Sequence, residues 1–265
     1  MRDLQISDFT GWRQKRQQSV AGFQGDLTLV GLHRIEEPMH IKGIPGLWAP
    51  LAPETPGLTL TVAESDAITV DDQLVDGTVQ LYVDRSVVRF SRTLTATATM
   101  QPGSPHLLAV WDDNADMLQA YQGISSFPYH PEWVIQAEFV AEAADRTMAF
   151  SHVDDTDGSL RYHKSPGDIT FMKEGVSYRL TPFASDGSLL IIFGDRTNGD
   201  TTYGLGRMLL VHPEQDGSVT LDFNRSFLPP CAFSPYFNCP IPPANNRLPF
   251  EIDAGEKQTL FFKIK

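Results

Sequence analysis

Several things are scarce in this chain, and each scarcity excludes a class of protein. Only two cysteines occur in 265 residues, too few for a disulfide framework. The seven histidines show no H-x3-H spacing, and no C-x2-C occurs to complete a zinc site, so no metal is expected. No apolar run approaches the ~20 residues that cross a membrane, and no membrane partner is expected. The first residues, MRDLQISDFTGWRQKRQQ, lack the apolar centre of a secretory signal, which points to the cytoplasm. Positive charge is also short: 21 Lys and Arg stand against 33 Asp and Glu, a net charge of −12. A phosphate-tracking protein needs a basic face, so nucleic acid is not an expected partner. The cluster Arg13, Lys15 and Arg16 reads as a solvated helix face. G-x-S-x-G, Walker, G-x-G-x-x-G and H-E-x-x-H motifs are all missing, and no cofactor is implied. No tandem repeat or heptad is present, and nothing in the pattern speaks to oligomeric state.

What is present is strand grammar behind one helix. Ser7 to Ala21 reads as a helix, with Ser7 as N-cap, Gly22 closing the C-terminus, and Phe9, Trp12 and Val20 on one side. Leu58–Val62, Val79–Val83 and Val88–Phe90 then alternate as strands do, with Asp76-Gly77 as a tight-turn signal between two of them. Strands are also expected from Trp133 to Val140, from Met148 to Val153, and as a hairpin from Ile169 to Leu180 turning at Glu174-Gly175. Leu189 to Phe193 is continuously apolar, the mark of a strand buried on both faces. The expected fold is mainly β: an antiparallel sandwich or barrel-like sheets, with an N-terminal helix and a proline-rich C-terminal strap. The composition break at Asp112–Gln119 (DDNADMLQ) suggests residues 1–115 as one region and 116–265 as a C-terminal β domain, or one continuous unit.

Chemistry-bearing residues gather in the C-terminal part. If Thr202 to Leu209 is a strand, Tyr203, Leu205, Arg207 and Leu209 share a face, and Gly204 and Gly206 admit a close backbone or ligand on the other. Arg207 is either an anion fork or the partner of Asp195 or Asp222 in a buried network. Asp195, with Thr197 and Gly199 after it, is either a general acid/base at a strand end or the first residue of an Asx-turn. Asp222 and Asn224 share the polar face of a strand whose apolar face carries Val219, Leu221 and Phe223. They read as a pocket floor or as a strand terminus. Ser165, before Pro166, reads as a turn residue rather than a nucleophile.

The segment Pro229 to Pro249 holds seven of the 19 prolines, so it is neither helix nor central strand. It reads as a rigid strap anchored by Phe233, Tyr236, Phe237 and Leu248. Its cysteines, Cys231 and Cys239, are spaced C-x7-C and leave three readings open: a disulfide, metal ligation, or packed thiols.

These motifs resemble an uncharacterised bacterial and archaeal family, the domain of unknown function 1684. The residues that carry the likeness are Gly123–Pro128, Ser165–Gly167, Asp195–Gly199, Thr202–Arg207, Asp222–Asn224, Pro230–Phe233, Cys239-Pro240, Asn246–Leu248 and Ala254–Lys257. The likeness is strong from about residue 121 to the end. Phe227-Leu228-Pro229 and the arginine-free Leu107–Trp111 depart from the family pattern. The resemblance implies no reaction, cofactor or substrate. The residues themselves suggest a pocket for a small anionic metabolite, lined by Thr197, Tyr203, Arg207, Asn224 and Asn246. A hydrolase or isomerase using Asp195 or Asp222 as acid/base is the alternative, and a purely structural polar network is a third reading.

Overall fold

The computed structural model of the chain describes residues 2–52, 55–143, 145–155, 158, 160–185 and 187–262, with side chains from Asp8 onward. Helix α1 runs Arg2–Ala21 and so begins well before the cap that Ser7 implied. Ser7 lies inside the helix, and its side chain is outside the described residues. The C-terminal end is as expected, with the Gly22 amide donating to the Ser19 carbonyl at 3.3 Å. The chain folds as two compact units. One is Ser19–Ala120, and the other joins the chain up to Gln18 with the chain from Tyr121 onward.

Within the Ser19–Ala120 unit the strands are β1 (Leu29–Arg34), β2 (Met39–Ile41), β3 (Ile44–Ala52), β4 (Thr55–Val62) and β5 (Thr69–Val70). They continue as β6 (Gln73–Leu74), β7 (Gly77–Tyr82), β8 (Val88–Arg89), β9 (Leu94–Gln101) and β10 (Ser104–Asp112). One antiparallel sheet has the order β1-β10-β9-β8-β5-β6, the other β2-β3-β4-β7. Trp48, Leu58, Leu60 and Leu81 from one sheet meet Ala96, Leu108 and Val110 from the other in a single buried core, which is sandwich packing. The alternating runs pair as their pattern implies, Leu58 opposite Leu81 and Leu60 opposite Val79. The Asp76-Gly77 turn, however, does not close a hairpin. The two-residue turn is Asp71-Asp72, both at positive φ (50° and 64°), between the paired Val70 and Gln73. Asp tolerates the left-handed region that such a turn requires at both central positions. Short helix α2 (Asp116–Ala120) ends the unit.

The other unit carries β11 (Tyr121–Ser126), β12 (Val134–Ala141), β13 (Thr147–Phe150), β14 (Arg161–Lys164), β15 (Gly167–Lys173) and β16 (Val176–Leu180). After these come β17 (Phe183–Ser185), β18 (Ser188–Phe193), β19 (Arg207–Val211), β20 (Ser218–Asp222) and β21 (Glu256–Phe261). Its sheets are β16-β15-β12-β20, β17-β18-β19, β13-β14 and β11-β21, all with antiparallel ladders. All remain open sheets, so the mainly antiparallel β class holds without barrel closure. The β15–β16 hairpin turns at Glu174-Gly175 with both at positive φ, as read from the sequence. Strand β13 stops at Phe150, short of the expected Val153. In β20, Val219 and Leu221 are buried while Ser218 and Thr220 are exposed, the alternation that sends one face inward. Trp133, Phe171, Ile191, Phe193, Leu209 and Phe223 belong to one core that draws on both larger sheets.

Candidate functional site

Two features of this second unit hold the chemistry-bearing residues: a buried polar cluster and an open cleft. The cluster begins where β18 ends. Thr202–Gly206 is not strand, since β19 starts only at Arg207, and strand alternation therefore does not set the face of Tyr203. The chain instead folds into turns, because the Asp195 carboxylate and the Asn198 amide offer the backbone partners that a ladder would otherwise supply. Asp195 Oδ1 accepts from the Thr197 amide at 2.8 Å and from its hydroxyl, the Asx-turn geometry. Asn198 Oδ1 accepts from the Asp195 amide at 2.7 Å, and its Nδ2 donates to Thr202 Oγ1 at 2.9 Å.

Arg207 points inward from the first residue of β19. Its side chain and that of Asp195 are both 0% exposed, joined by Nη2 to Oδ2 at 2.8 Å. Nη2 also donates to the Ile252 carbonyl at 2.9 Å, and Nη1 donates to the carbonyls of Ala254 and Glu256. Only Nε lacks a hydrogen-bond partner among the described residues, and the guanidinium lies 5.4 Å from the Phe193 ring centre. Burial pulls the guanidinium below its ordinary range and Asp195 pulls it back up; the first effect is the larger. Both Asp195 oxygens are thus committed, one to Arg207 and one to Thr197. Gly206 sits at φ 98°, and a side chain there would run into the Phe193 carbonyl and approach Pro242 Cγ to 3.0 Å. That is the close backbone approach its glycine implied. Gly204 has no such crowding, its nearest contact being 3.8 Å.

Asn224 and Asn246 act as substitutes for missing strand neighbours. Asn224 lies in the 3-10 turn Phe223–Arg225 rather than on β20, with Asp222 capping that turn through Oδ1. Fully buried, Asn224 takes the His130 amide on Oδ1 at 2.7 Å and gives Nδ2 to the His130 carbonyl at 3.0 Å. Asn246, also fully buried, does the same for Thr181 at 2.8 and 2.9 Å and adds the Ile192 carbonyl at 2.8 Å. Tyr203 donates its hydroxyl to the Cys231 carbonyl at 3.1 Å. Ser165, fully buried between β14 and β15, donates to the distant Pro182 carbonyl at 2.7 Å, a long-range contact rather than the turn role read from its sequence.

The cleft has a volume of about 600 Å³ and is lined by Trp12, Arg16, the β19 and β20 segments, Asp222, Arg225 and Phe227. Of the residues singled out in the sequence as site candidates, only Asp222 lines it. Arg225 Nε stands 3.3 Å from Asp222 Oδ2, and Arg225 Nη2 pairs with the exposed Asp8. Arg16 is not a solvated cation. It donates to the Leu228 carbonyl at 2.9 Å, pairs with the buried Glu256 at 3.5 Å, and lies near the Phe227 and Phe233 rings at 5.1 and 5.2 Å. Sequence reasoning missed this because those partners come from the opposite end of the chain. The cleft-lining His212 accepts or donates a 2.8 Å bond with Ser188 Oγ. No periodic signal links those two positions either. Among the described residues no group of three or more His, Cys, Asp or Glu side chains is placed to hold a metal, and no helix is long and apolar enough to cross a membrane.

A solution NMR structure of an uncharacterized protein from Haloarcula marismortui is 29% identical over 51% of this chain and 76% of its own, with a TM-score of 0.43. No curated protein matches. Residues 119–257, just over half of the sequence, match the family described as protein of unknown function (DUF1684), and the chain belongs to that family.

Proposed function

We propose that the chain binds a small anionic metabolite in the cleft bounded by Trp12, Arg16, Asp222, Arg225 and Phe227. Asp195, Thr197, Tyr203, Arg207, Asn224 and Asn246 then serve as the scaffold beneath it rather than as its lining. The observation that carries this reading is Arg225. It lies on the cleft wall with its side chain 36% exposed, paired to an Asp8 side chain that is 70% exposed. An exposed ion pair contributes only about 0–1 kcal/mol, so an incoming carboxylate or phosphate replaces Asp8 at little cost and gains a planar fork. Trp12 and Phe227 supply apolar wall for the rest of such a molecule.

A second reading, that the polar residues serve the fold alone, is favoured for Asp195 and Arg207 by their complete burial. An acid/base role for Asp195 would need an oxygen free for substrate, and both are occupied. Thermal-shift titration of the whole chain against small carboxylates and phosphates tests the cleft. At a hundredfold excess over Kd a true ligand raises Tm by about 5 °C or more, and Arg225→Ala keeps the fold but loses that shift. If no compound moves the wild-type Tm, the binding reading is wrong and the structural one stands.

A further inference from the structure

The proline-rich strap contains a thiol pair that neither the cleft nor the polar cluster uses. Cys231 and Cys239 are both thiols, not joined in a disulfide, the first half-buried and the second 6% exposed. They stand on either side of a bend in the strap, Cys231 inside the 3-10 turn Pro230–Ala232. The Cys231 amide donates to Cys239 Sγ at 3.3 Å, which brings the second sulfur against the residue that carries the first. Tyr203 approaches from the turn before β19 and donates its hydroxyl to the Cys231 carbonyl at 3.1 Å. The strap is fixed at this point from outside. The Cys239 carbonyl accepts from the Val153 amide at 3.1 Å, and the Ile241 amide donates to the Ser151 carbonyl at 2.8 Å. Two thiols and a phenol are therefore gathered on a segment whose prolines restrict its motion.

We propose that Cys231 and Cys239 form a peroxide-sensitive dithiol site, in which Cys231 is the attacking sulfur and Cys239 the resolving one. A structural pair with no redox role would need neither a partly exposed cysteine nor an activating neighbour, and Cys231 has both. A hydrogen bond from the Cys239 thiol is the main influence lowering the Cys231 pKa; burial opposes it and the Tyr203 hydroxyl reinforces it. Tyr203 itself is pushed above its ordinary range, first by burial and then by the Cys231 sulfur, so it remains a donor at neutral pH. The thiolate is the reactive form of cysteine.

The chemistry balances with hydrogen peroxide as oxidant. The Cys231 thiolate attacks one peroxide oxygen, an S–O bond forms, the O–O bond breaks, and the departing hydroxide takes a proton to leave as water. The Cys239 sulfur, losing its proton, attacks the sulfenic acid; the S–S bond forms, the S–O bond breaks, and a second water leaves. The two thiols are oxidised by two electrons and the peroxide is reduced to two waters. Exchange with a small dithiol restores the starting pair. The product is a disulfide across the strap, beside the turn that Tyr203 occupies.

The test is intact-mass analysis of the whole chain, treated or not with stoichiometric hydrogen peroxide while folded and then alkylated in denaturant. Untreated protein should take two alkyl groups, and peroxide-treated protein none. The latter should be two hydrogens lighter, monomeric on a non-reducing gel, and restored by dithiothreitol. Two thiols that stay alkylatable, Cys231 oxidised to sulfinic acid without a bridge, or bridges only between chains would each overturn the site. Cys239→Ser should trap the intermediate as a dimedone adduct on Cys231; an adduct absent there assigns the attack wrongly. Tyr203→Phe should move the midpoint of Cys231 alkylation in the folded protein to higher pH, and an unchanged midpoint removes Tyr203 from the site. Should either variant fail to fold, the wild-type mass result decides.

Discussion

A guanidinium excluded from water is tolerated only when its charge and nearly all its donors are met, and Arg207 satisfies that condition at a single point in the fold. Asp195 holds the charge, and the carbonyls of Ile252, Ala254 and Glu256 take the donors. Removing one partner strands the other in a medium of low dielectric. Arg207→Ala and Asp195→Ala should each cost about 3–5 kcal/mol, read from urea unfolding, with the double substitution costing far less than their sum. Additive costs would show that the pair is not the unit of stability. From the sequence, Arg207 reads either as the partner of a buried carboxylate or as an anion anchor, the first slightly favoured. A fork with five donors suits both environments, and only the position of the distant 252–256 segment distinguishes them. The same holds for Asn224 and Asn246. An amide that mimics a strand neighbour has the sequence signature of an amide that binds a ligand.

Elements with their own periodicity were legible in advance; elements held by other elements were not. Strand β20 alternates and β18 is continuously apolar, and both lie where those patterns imply. The strap has no period, and its seat is supplied by β13, β14 and the residues around them. There, His152 and His163 stack at 5.3 Å and 11°, with Nε2 to Nε2 at 3.4 Å, and His163 packs against Phe150 and Phe183. Arg161 and Asp155 form an ion pair at 2.8 Å beside them, and Asn238 of the strap donates to Asp155 at 3.1 Å. Burial, with help from His152 and Arg161, pushes His163 down to about 4 from its ordinary 6.5; burial first, then Arg161, lowers His152 as well. The folded chain thus keeps His163 neutral at a pH where the unfolded chain binds a proton, so acid favours unfolding. The contribution of His163 should be whole above pH 6.5 and lost as the pH falls toward about 4. His163→Phe should flatten that part of the urea-midpoint profile. An equally steep profile in the variant would place the acid sensitivity elsewhere.

At the scale of the molecule, the unit that contains most of the family match also takes in helix α1 as far as Gln18. Phe9 packs on Tyr129 at 5.4 Å, and Arg16 meets both Glu256 and the Leu228 carbonyl. Glu256 is 2% exposed and also accepts from the Leu228 amide at 2.7 Å. A fragment of residues 119–265 loses the Arg16–Glu256 pair, the Arg16 bond to the Leu228 carbonyl and the Phe9–Tyr129 contact together, a loss of about 3 kcal/mol. Its Tm should fall by about 6–12 °C relative to the same unit in the whole chain; coincident melting would mean the helix contributes little. Composition and motifs were sufficient to establish an antiparallel β protein and to identify the family, because strand period, turn chemistry and motif spacing are local properties written along the chain. Which of those polar residues face a cleft and which are sealed beneath it depends on segments far apart in sequence meeting in space. Burial and hydrogen-bond partnership are properties of that meeting, and they turned Arg207 inward while leaving Arg225 on the cleft wall.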